Sequence, residues 1–332
     1  MSRNVAFVGK IIKIEPIKGA DFIVSATVVC GQGGKWMGTI SKDQFEVDEL
    51  VNVYLQDAIL PQLPEFAFME KYNYRVSMRK FKKVPSECLI CKLEWVPTDD
   101  REAGKPCIGD VIPGIMKYEK PIPAQLSGQV VGGFPTHIIP KTDEPNFQTV
   151  PDMIAAIAGR KYYATEKADG SSGTVYIFKN EHFGVCSRNL ELKDDGKNAF
   201  WEMVKRYKII DKLPNDYAIQ FELVGPGIQK NPLKLPELDI RVFNVWNIRE
   251  RRYLDIEDAI ELACGNMDLP WAEIIDYDKT FLFSSDEQMR KYAEGKYPNG
   301  GDREGVVIRP MKETMVNGER LSFKIINLNY KD

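Results

Sequence analysis

Short apolar runs alternate with clusters of Gly, Asp and Asn over the first hundred residues, a pattern typical of short β-strands joined by turns. Five runs have the length and composition of strands: residues 5–14, 22–30, 36–40, 50–55 and 74–81. A helix fits residues 65–71. Regularly spaced short strands predict a small barrel of the OB-fold type over residues 1–108, and the pattern alone leaves a β-sandwich as the alternative.

The pattern changes twice along the rest of the chain. Prolines and glycines interrupt residues 109–150, so this stretch is predicted to be a connector that joins the second domain. Residues 151–332 mix strand-like runs with helical spacing, which predicts an α+β domain with mainly antiparallel sheets. The expected strands are residues 162–166, 174–178, 184–187, 217–224, 240–247, 305–309 and 321–326. The expected helices are residues 197–207, a helix that Asp255 caps and that runs through Cys264, and one that begins with a capping box of Ser285 and Gln288.

Length and composition describe a globular protein of two domains, with 332 residues of which 43% are hydrophobic and 28% charged. The net charge of −3 gives no global basic footprint, so any contact with nucleic acid must come from a local patch. We expect no membrane association, because no apolar run is long enough to span a bilayer and no signal-peptide core follows Met1. Six scattered cysteines do not form a disulfide framework, which favours a reducing, cytoplasmic setting.

Two of these cysteines, Cys88 and Cys91, have the Cys-x-x-Cys spacing of a zinc-binding pair. No second pair follows at the distance that a zinc ribbon needs, so buried strand cysteines are the preferred interpretation and a zinc site is the alternative. The chain has only two histidines, His137 and His182, which argues against histidine-dependent nucleophilic catalysis.

The most informative tetrapeptide is Lys167-Ala168-Asp169-Gly170, which lies between two strand-like runs. It fixes an amine at a tight turn, beside a carboxylate and a residue without a side chain. A lysine in this position can act as a nucleophile if its neighbours lower its pKa.

Four further islands place polar groups within or beside apolar runs. They are Phe221-Glu222-Leu223-Val224-Gly225, Phe243-Asn244-Val245, the strand opened by Glu304, and Lys324 within Ser322-Phe323-Lys324-Ile325-Ile326. Burying an unpaired charge is costly, so these groups are expected to face one another or a ligand.

In order and spacing, the five islands resemble motifs I, III, IIIa, IV and V of the covalent nucleotidyltransferases, which comprise ATP-dependent RNA and DNA ligases and mRNA capping enzymes. The segment from Phe134 to Glu144 and the predicted N-terminal barrel resemble the RNA ligase 5 type. This resemblance covers nearly the whole chain. It implies an ATP-grasp-like ligase domain after an OB-like one, and an RNA ligase that is a monomer. The implied reaction seals 5′-phosphate and 3′-OH ends of RNA, or of a nicked duplex that contains RNA, through a lysyl-AMP and an adenylylated 5′ end.

The same resemblance implies a role for each residue of the site. Lys167 would attack the α-phosphorus of ATP, and Lys324 would neutralise charge on the α-phosphate. Asp169 and Glu304 would hold Mg²⁺ or Mn²⁺ through water, and the metal and Lys324 would favour the neutral amine of Lys167. Gly170 would allow a tight turn beside the phosphates. The remaining nucleotide contacts would come from Glu166 at the adenine edge, Phe243 and Val307 on either side of adenine, Glu222 at the ribose, and Arg188 and Lys141 near ribose or phosphate.

Two positions depart from the family pattern and keep alternatives open. Ile326 stands where many ligases have the second lysine of Lys-x-Lys, for which Lys331 or Lys312 could substitute, and Asn146 stands where an arginine is usual. The alternatives are a GTP-dependent capping-type nucleotidyltransferase and a catalytically weakened, ligase-like protein that binds nucleic acid.

A basic segment in the first domain interleaves cations with aromatic residues. It contains Arg75, Arg79, Lys80, Lys82 and Lys83. On an OB-like barrel such a segment is a candidate groove for the nucleic-acid backbone, although a charge run is as often a solvated face.

Overall fold

The computed structural model describes residues 4–93, 106–118 and 130–330. These residues group into two compact units. The first unit draws its residues from 1–121 and 148–151, and the second from 122–147 and 152–332. Part of the predicted connector, residues 119–129, lies outside the described residues, as does Lys331.

The first unit is built on a closed five-stranded barrel. Its strands and the shorter strands around it are β1 (Ala6–Pro16), β2 (Ile23–Val29), β3 (Lys35–Ser41), β4 (Leu50–Leu55), β5 (Ala58–Ile59), β6 (Arg79–Phe81), β7 (Val84–Ser86), β8 (Cys88–Lys92) and β9 (Met116–Lys117). The barrel closes in the order β1-β2-β3-β8-β4 and back to β1. Ile11, Ala26, Val28, Val51 and Val53 are fully buried within its core. The structure therefore has a barrel where the sequence also permitted a sandwich.

The prediction of a strand over residues 74–81 is wrong for most of that range. Asn73 and Tyr74 take left-handed backbone conformations, with φ of 52° and 57°, after a 3₁₀ helix over Pro64–Tyr72. Regular pairing begins only at Arg79, in the β6–β7 hairpin. The predicted helix at 65–71 is confirmed in place, and its form is 3₁₀.

Cys88 and Cys91 are buried in strand β8, as the preferred interpretation of the Cys-x-x-Cys motif predicted. Burial raises the pKa of the Cys91 thiol to about 12, so this side chain remains a protonated thiol. All six cysteines of the chain are free thiols.

The second unit contains two large antiparallel sheets, as predicted. Its strands are β10 (Val130–Gly133), β11 (Lys161–Lys167), β12 (Ser171–Phe178), β13 (His182–Ser187), β14 (Leu190–Leu192), β15 (Tyr217–Val224), β16 (Asp239–Asn247), β17 (Arg252–Tyr253), β18 (Ile274–Thr280), β19 (Gly305–Pro310), β20 (Met315–Val316), β21 (Glu319–Arg320) and β22 (Phe323–Ile326). One sheet has seven strands in the order β10-β14-β13-β12-β15-β16-β17. The other has four, in the order β18-β11-β19-β22. The protein is thus α+β and rich in sheet.

Five α-helices pack in this part of the chain: α1 (Pro151–Ile157), α2 (Ala199–Arg206), α3 (Ile209–Lys212), α4 (Ile256–Ile260) and α5 (Asp286–Ala293). Helix α2 is amphipathic and packs Met203 and Val204 against Ile219 and Phe221 of β15. Because side chains alternate along a strand, Gln220 and Glu222 then point to the opposite face of the sheet. None of the described helices is long and apolar enough to cross a membrane.

Two details of the predicted helices differ. Asp255 is the N-cap residue of α4 as predicted, but its carboxylate accepts a hydrogen bond from the backbone of Glu313 and none from the helix. The helix turns into a π-helix at Glu261–Asn266. At α5, Ser285 Oγ accepts from Gln288 N as predicted, but Gln288 Oε1 accepts from Ser284 N, one residue earlier than a capping box requires.

Candidate active site around Lys167

Lys167 is the last residue of β11 and pairs with Gly305, the first residue of β19. This register brings Glu304, which immediately precedes β19, beside the lysine. Lys167 Nζ donates to Glu304 Oε2 at 2.6 Å, and both side chains are about a quarter exposed. The two residues are separated by 137 positions in the chain, so the sheet pairing alone creates their contact.

The loop after Lys167 is held from two sides by tyrosine hydroxyls. Tyr297 Oη accepts from the backbone N–H of Asp169 at 3.2 Å and donates to the carbonyl of Lys167 at 3.0 Å. Tyr330 donates to the Asp169 carboxylate. Sequence analysis did not find either tyrosine, because neither belongs to a motif that suggests chemistry.

Gly170 is required for a reason that differs from the predicted one. A Cβ at this position would lie 2.2 Å from the carbonyl oxygen of Leu223 and 2.8 Å from Cγ of Glu222. The loop therefore packs directly on β15, and the lack of a side chain lets Glu222 lie against it. Close backbone approach, rather than an unusual turn conformation, is what excludes other residues.

Lys324 reaches the same face of the four-stranded sheet. Thr165, Val307 and Lys324 are directly opposite one another on β11, β19 and β22. Directly opposite residues of antiparallel strands share a face, so Val307 and Lys324 lie on the face of Thr165 and of Lys167, two residues further along β11. Burial, reinforced by the charge of Lys167, lowers the pKa of Lys324 to about 8.

The charges of the cluster act on Lys167 in the direction opposite to our expectation. Burial acts to lower the pKa of Lys167, but the carboxylates of Glu304, Glu222 and Asp169 outweigh it and raise that pKa above its ordinary value. Burial, with the charges of Glu304 and Asp169, raises the pKa of Glu222 to about 8. The side chains of the protein thus hold Lys167 protonated, and the reaction must remove this proton before the amine can attack.

Strand β16 contributes Phe243 through a β-bulge. Its pairing with β15 passes from Gln220↔Asn244 to Phe221↔Val242, so Phe243 is the extra residue without a partner. Bulges re-aim a side chain and are frequent beside active sites. Phe243 is half-buried, whereas Val307 is buried on β19.

Glu166 lies next to the nucleophile in sequence but alternates to the other face of β11. Its backbone N–H donates to the carbonyl of Glu273, and burial raises the pKa of its carboxyl to about 7.

Lys141 and Arg188 meet on the exposed rim of the second unit. Lys141 Nζ donates to Asn189 Oδ1 at 2.9 Å, and Arg188 Nη2 donates to Asp143 Oδ1. Thr142, between Lys141 and Asp143, hydrogen-bonds Ser172 at the start of β12. The two predicted cations are therefore brought to one place, near the loop that follows Lys167.

A buried ion pair anchors the segment that carries these rim residues. Arg309 of β19 is 1% exposed and donates to Glu144 Oε1 at 2.8 Å. Gln220 donates to the carbonyl of Pro140, and the backbone N–H of Lys324 donates to that of Pro145. The pairing of Asn146 with Lys324 continues this contact.

The structure excludes one substitute for the second lysine of motif V. Lys312 is paired with Asp255 at 3.1 Å and with Glu257 at 3.7 Å, on the exposed surface. Ile326 itself pairs with Gly305, opposite Lys167 across β19, so an apolar side chain occupies that position.

The donor set fits a hard divalent cation that shares its coordination with a substrate. Asp169, Glu222 and Glu304 offer carboxylate oxygens around Lys167. Among the described residues, no three His, Cys, Asp or Glu side chains form a group that could hold a metal ion unaided. Mg²⁺ is commonly held by one or two carboxylates together with water and substrate phosphates, which agrees with this arrangement.

The basic segment of the first unit has a different character. Arg75 forms two hydrogen bonds with Asp57 and stacks 3.9 Å from the ring centre of Tyr118, and Arg79 stacks 3.4 Å from that of Tyr72. Lys80, Lys82 and Lys83 are exposed along the β6–β7 hairpin.

Comparisons with known proteins agree with the geometry. A family model described as RNA ligase matches residues 160–326. The chain is similar to the Naegleria gruberi RNA ligase solved with pyrophosphate, at 30% identity and a TM-score of 0.78 over 98% of this chain and 97% of that one. Structures of mutants of that ligase, one with AMP and Mn (30% identity, TM-score 0.79, 98% and 97% covered) and one with ATP and Mn (29%, 0.79, 97% of each), are similar to the same extent.

Among curated proteins, none matches the chain in sequence. The family model covers half of the chain, however, and includes Lys167, Glu222, Glu304 and Lys324. The structural likeness extends over both units at 30% identity. The chain therefore belongs to the RNA ligase family.

Proposed function

We propose that the protein is an ATP-dependent RNA ligase that seals 5′-phosphate and 3′-OH ends of RNA through a lysyl-AMP at Lys167. The observation that carries this proposal is the 2.6 Å contact of Lys167 with Glu304, within a cluster completed by Asp169, Glu222 and Lys324. Three of these residues, Lys167, Glu222 and Lys324, come from strands of two sheets, and Asp169 and Glu304 come from the loops beside them. The similar Naegleria ligase has been solved with ATP, AMP and Mn, which supports ATP as the nucleotide.

In the first step, the neutral amine of Lys167 attacks the α-phosphorus of ATP. The Nζ–P bond forms, the P–O bond to the β-phosphate breaks, and pyrophosphate leaves with the electron pair of that bond. Lys324, on the same sheet face, stabilises the negative charge on the α-phosphate oxygens. The proton of Lys167 passes from its hydrogen bond with Glu304 towards solvent.

In the second step, an oxygen of the RNA 5′-phosphate attacks the phosphorus of the lysyl-AMP. The new P–O bond forms, the Nζ–P bond breaks, and Lys167 regains a proton. In the third step, the 3′-OH attacks the 5′-phosphate, the phosphodiester forms, and AMP leaves. Sealing thus returns Lys167 to its starting state.

The nucleotide is held by residues around the cluster. We assign Phe243 and Val307 to the two faces of adenine, Glu222 to the ribose, and Lys141 and Arg188 to ribose or phosphate. Glu166 is assigned to the adenine edge, which its side chain must reach from the face of β11 opposite Lys167. A carboxyl with a pKa of about 7 can donate as well as accept a hydrogen bond there. The unpaired position of Phe243 in the bulge supports its role.

Asp169 and Glu304 would hold Mg²⁺ or Mn²⁺ through water. The cation would neutralise charge on the triphosphate.

The first unit is assigned as an OB-like barrel that contacts RNA through Arg75, Arg79, Lys80, Lys82 and Lys83, ahead of an ATP-grasp-like ligase domain. At the tip of the β6–β7 hairpin, Lys82 and Lys83 both have positive φ, 50° and 72°. This turn favours Asn-Gly, and lysine is uncommon in it. Unfavourable backbone conformations tend to be kept where they serve a function. The two lysines at this exposed turn therefore support a contact with the phosphate backbone.

We further propose that the protein acts as a monomer in a reducing, cytoplasmic compartment. Six free thiols, four of them buried, support the compartment. The RNA substrates are single strands or nicked duplexes that contain RNA.

The experiment uses ATP or GTP labelled at the α-phosphate, a divalent cation, and detection of label that survives denaturation. We expect label from ATP, followed by joining of RNA ends that carry 5′-phosphate and 3′-OH. Label from GTP alone would identify a capping-type transferase. Absence of label from both would leave a ligase-like protein that only binds nucleic acid, and either result contradicts the proposal.

A further inference from the structure

One buried hydroxyl links the two segments that carry the reactive groups. Tyr297 Oη donates to the carbonyl of Lys167 at 3.0 Å and accepts from the backbone N–H groups of Asp169 at 3.2 Å and Glu304 at 3.1 Å. A phenol has one proton to donate and two lone pairs to accept with. These three bonds therefore use the whole capacity of the hydroxyl.

The ring that carries this hydroxyl is fixed in place. Tyr297 is 1% exposed and packs in a cluster with Val224 and Leu233. Its backbone lies in a tight turn, where its N–H donates to the carbonyl of Gly301 and its carbonyl accepts from Gly300. Burial raises the pKa of Tyr297, so the hydroxyl keeps the proton that it donates. Tyr297 therefore donates a hydrogen bond to the carbonyl of Lys167 and does not act as a general base.

We infer that Tyr297 is a positioning residue for the attack of Lys167, because it fixes the backbone on both sides of the contact with Glu304. This inference rests on the proposed function. Lys167 is the last residue of β11 and Glu304 immediately precedes the neighbouring β19, so both lie where strand pairing stops. The hydroxyl supplies the next link beyond the last strand pair, Lys167↔Gly305.

Removal of the hydroxyl leaves two N–H groups and a carbonyl without this partner. The loop that carries Asp169 can then shift independently of Glu304, the residue that contacts Lys167. A misplacement of about 1 Å can cost about 10²-fold in rate. Tyr330 acts on the same loop through the Asp169 side chain, so the backbone and the carboxylate of Asp169 are held by different tyrosines.

The test compares Tyr297→Phe with Tyr292→Phe in the full chain. Tyr292 lies five residues earlier and also donates its hydroxyl to a single acceptor, Asp276, at 2.7 Å, away from Lys167. The readouts are the single-turnover rate of lysyl-AMP formation at saturating ATP, the ATP concentration for half-maximal rate, and amide hydrogen exchange at Asp169 and Glu304.

For Tyr297→Phe we expect a rate lowered by about 10- to 100-fold, a half-maximal ATP concentration changed by less than about threefold, and faster exchange at both amides. For Tyr292→Phe we expect a rate within about twofold of the wild type. A folded Tyr297→Phe variant with the wild-type rate overturns the inference. If this variant does not fold, ring-fluorinated tyrosines at position 297 keep the shape and weaken the hydroxyl as an acceptor. The rate must then fall along the series, and a flat series overturns the inference.

The two proposals fail in distinguishable ways. A wild-type protein that forms no lysyl-AMP overturns the proposed function and, with it, this inference. A wild-type protein that reacts normally beside an equally active Tyr297→Phe variant overturns this inference alone.

Discussion

The cluster around Lys167 and the basic hairpin of the first unit both concentrate charge, but they are built in opposite ways. In the cluster, residues distant in sequence converge, and Lys167 meets Glu304 across 137 positions. In the hairpin region, charges that are close in sequence spread along one surface. Arg79 stacks on Tyr72 seven residues away, and Lys80, Lys82 and Lys83 face solvent.

This difference separates two kinds of function. A convergent, half-buried cluster shifts the pKa of its own members, as it does for Lys167, Glu222 and Lys324. The hairpin lysines are exposed, and an exposed row of cations suits a salt-sensitive contact with phosphates. We therefore expect the cluster to determine the rate of the covalent steps and the hairpin to affect only the affinity for RNA.

The largest effect is expected from Glu304→Gln. It removes the charge that contacts Lys167 and one of the carboxylates assigned to the cation, so lysyl-AMP formation is expected to fall by about 10²–10³-fold. The matched control is Glu294→Gln, at the exposed end of α5, which is expected to leave the rate within about twofold. Equal rates for the two variants would remove the distinction between the cluster and the surface.

The next effect is expected from Gly170→Ala. The added Cβ would lie 2.2 Å from the carbonyl oxygen of Leu223, so the loop must move away from β15. We expect lysyl-AMP formation to slow by about 30- to 100-fold. Gly132→Ala is the control, because a Cβ there meets nothing within 4 Å. An unchanged rate for Gly170→Ala would show that the packing of the loop on β15 does not matter to the chemistry.

A smaller effect, confined to RNA, is expected at the hairpin. Replacement of Lys82-Lys83 by Asn-Gly relieves the unfavourable backbone and removes two cations. We expect RNA joining at subsaturating RNA to fall by about 3- to 10-fold and the salt dependence of RNA binding to weaken by about 1.4 units of slope. Lysyl-AMP formation is expected to stay within about twofold.

The control for the hairpin is the Lys82→Arg, Lys83→Arg double variant, which keeps the charge and should keep RNA joining. If the Asn-Gly variant instead loses lysyl-AMP formation, the hairpin has a part in the chemistry and the comparison fails.

The last effect concerns stability and leaves the rate aside. The pKa of Glu222 is about 8 in the folded protein and near 4.5 when unfolded, so its contribution to stability is complete below pH 4.5 and is lost as the pH rises towards 8. Gln cannot ionise, so the Glu222→Gln variant is expected to gain about 3 kcal/mol in unfolding free energy over the wild type between pH 5 and pH 8. Denaturant unfolding at both pH values measures this gain. A difference that is the same at both pH values would show that Glu222 is ionised throughout.

Much of the second unit could be predicted because its motifs follow one another in a fixed order. Lys167, Glu222 and Lys324 lie in strands and Glu304 directly before one, where the apolar context makes a charged residue conspicuous. The RNA ligase assignment made from them is confirmed by the family match. The strands over 217–224 and 50–55 agree with the predicted bounds residue for residue.

What the sequence did not reveal depends on long-range contacts. In the sequence, Tyr297 is only a tyrosine outside the motifs. Its role depends on the fold, which brings its hydroxyl to the backbone of Lys167, Asp169 and Glu304. The raised pKa of Lys167 follows from three carboxylates that the fold gathers, and no local pattern reports their distances. The failed strand at 74–81 has a local cause, since two left-handed residues interrupt an apolar run that otherwise suits a strand.

Mass spectrometry of the protein after incubation with ATP and a divalent cation shows directly whether Lys167 is the nucleophile. We expect a gain of one adenylyl group, located at Lys167 by fragmentation of the peptide that contains it, and no gain in Lys167→Ala. An adenylyl group on another residue, or its persistence in Lys167→Ala, would show that Lys167 is not the nucleophile.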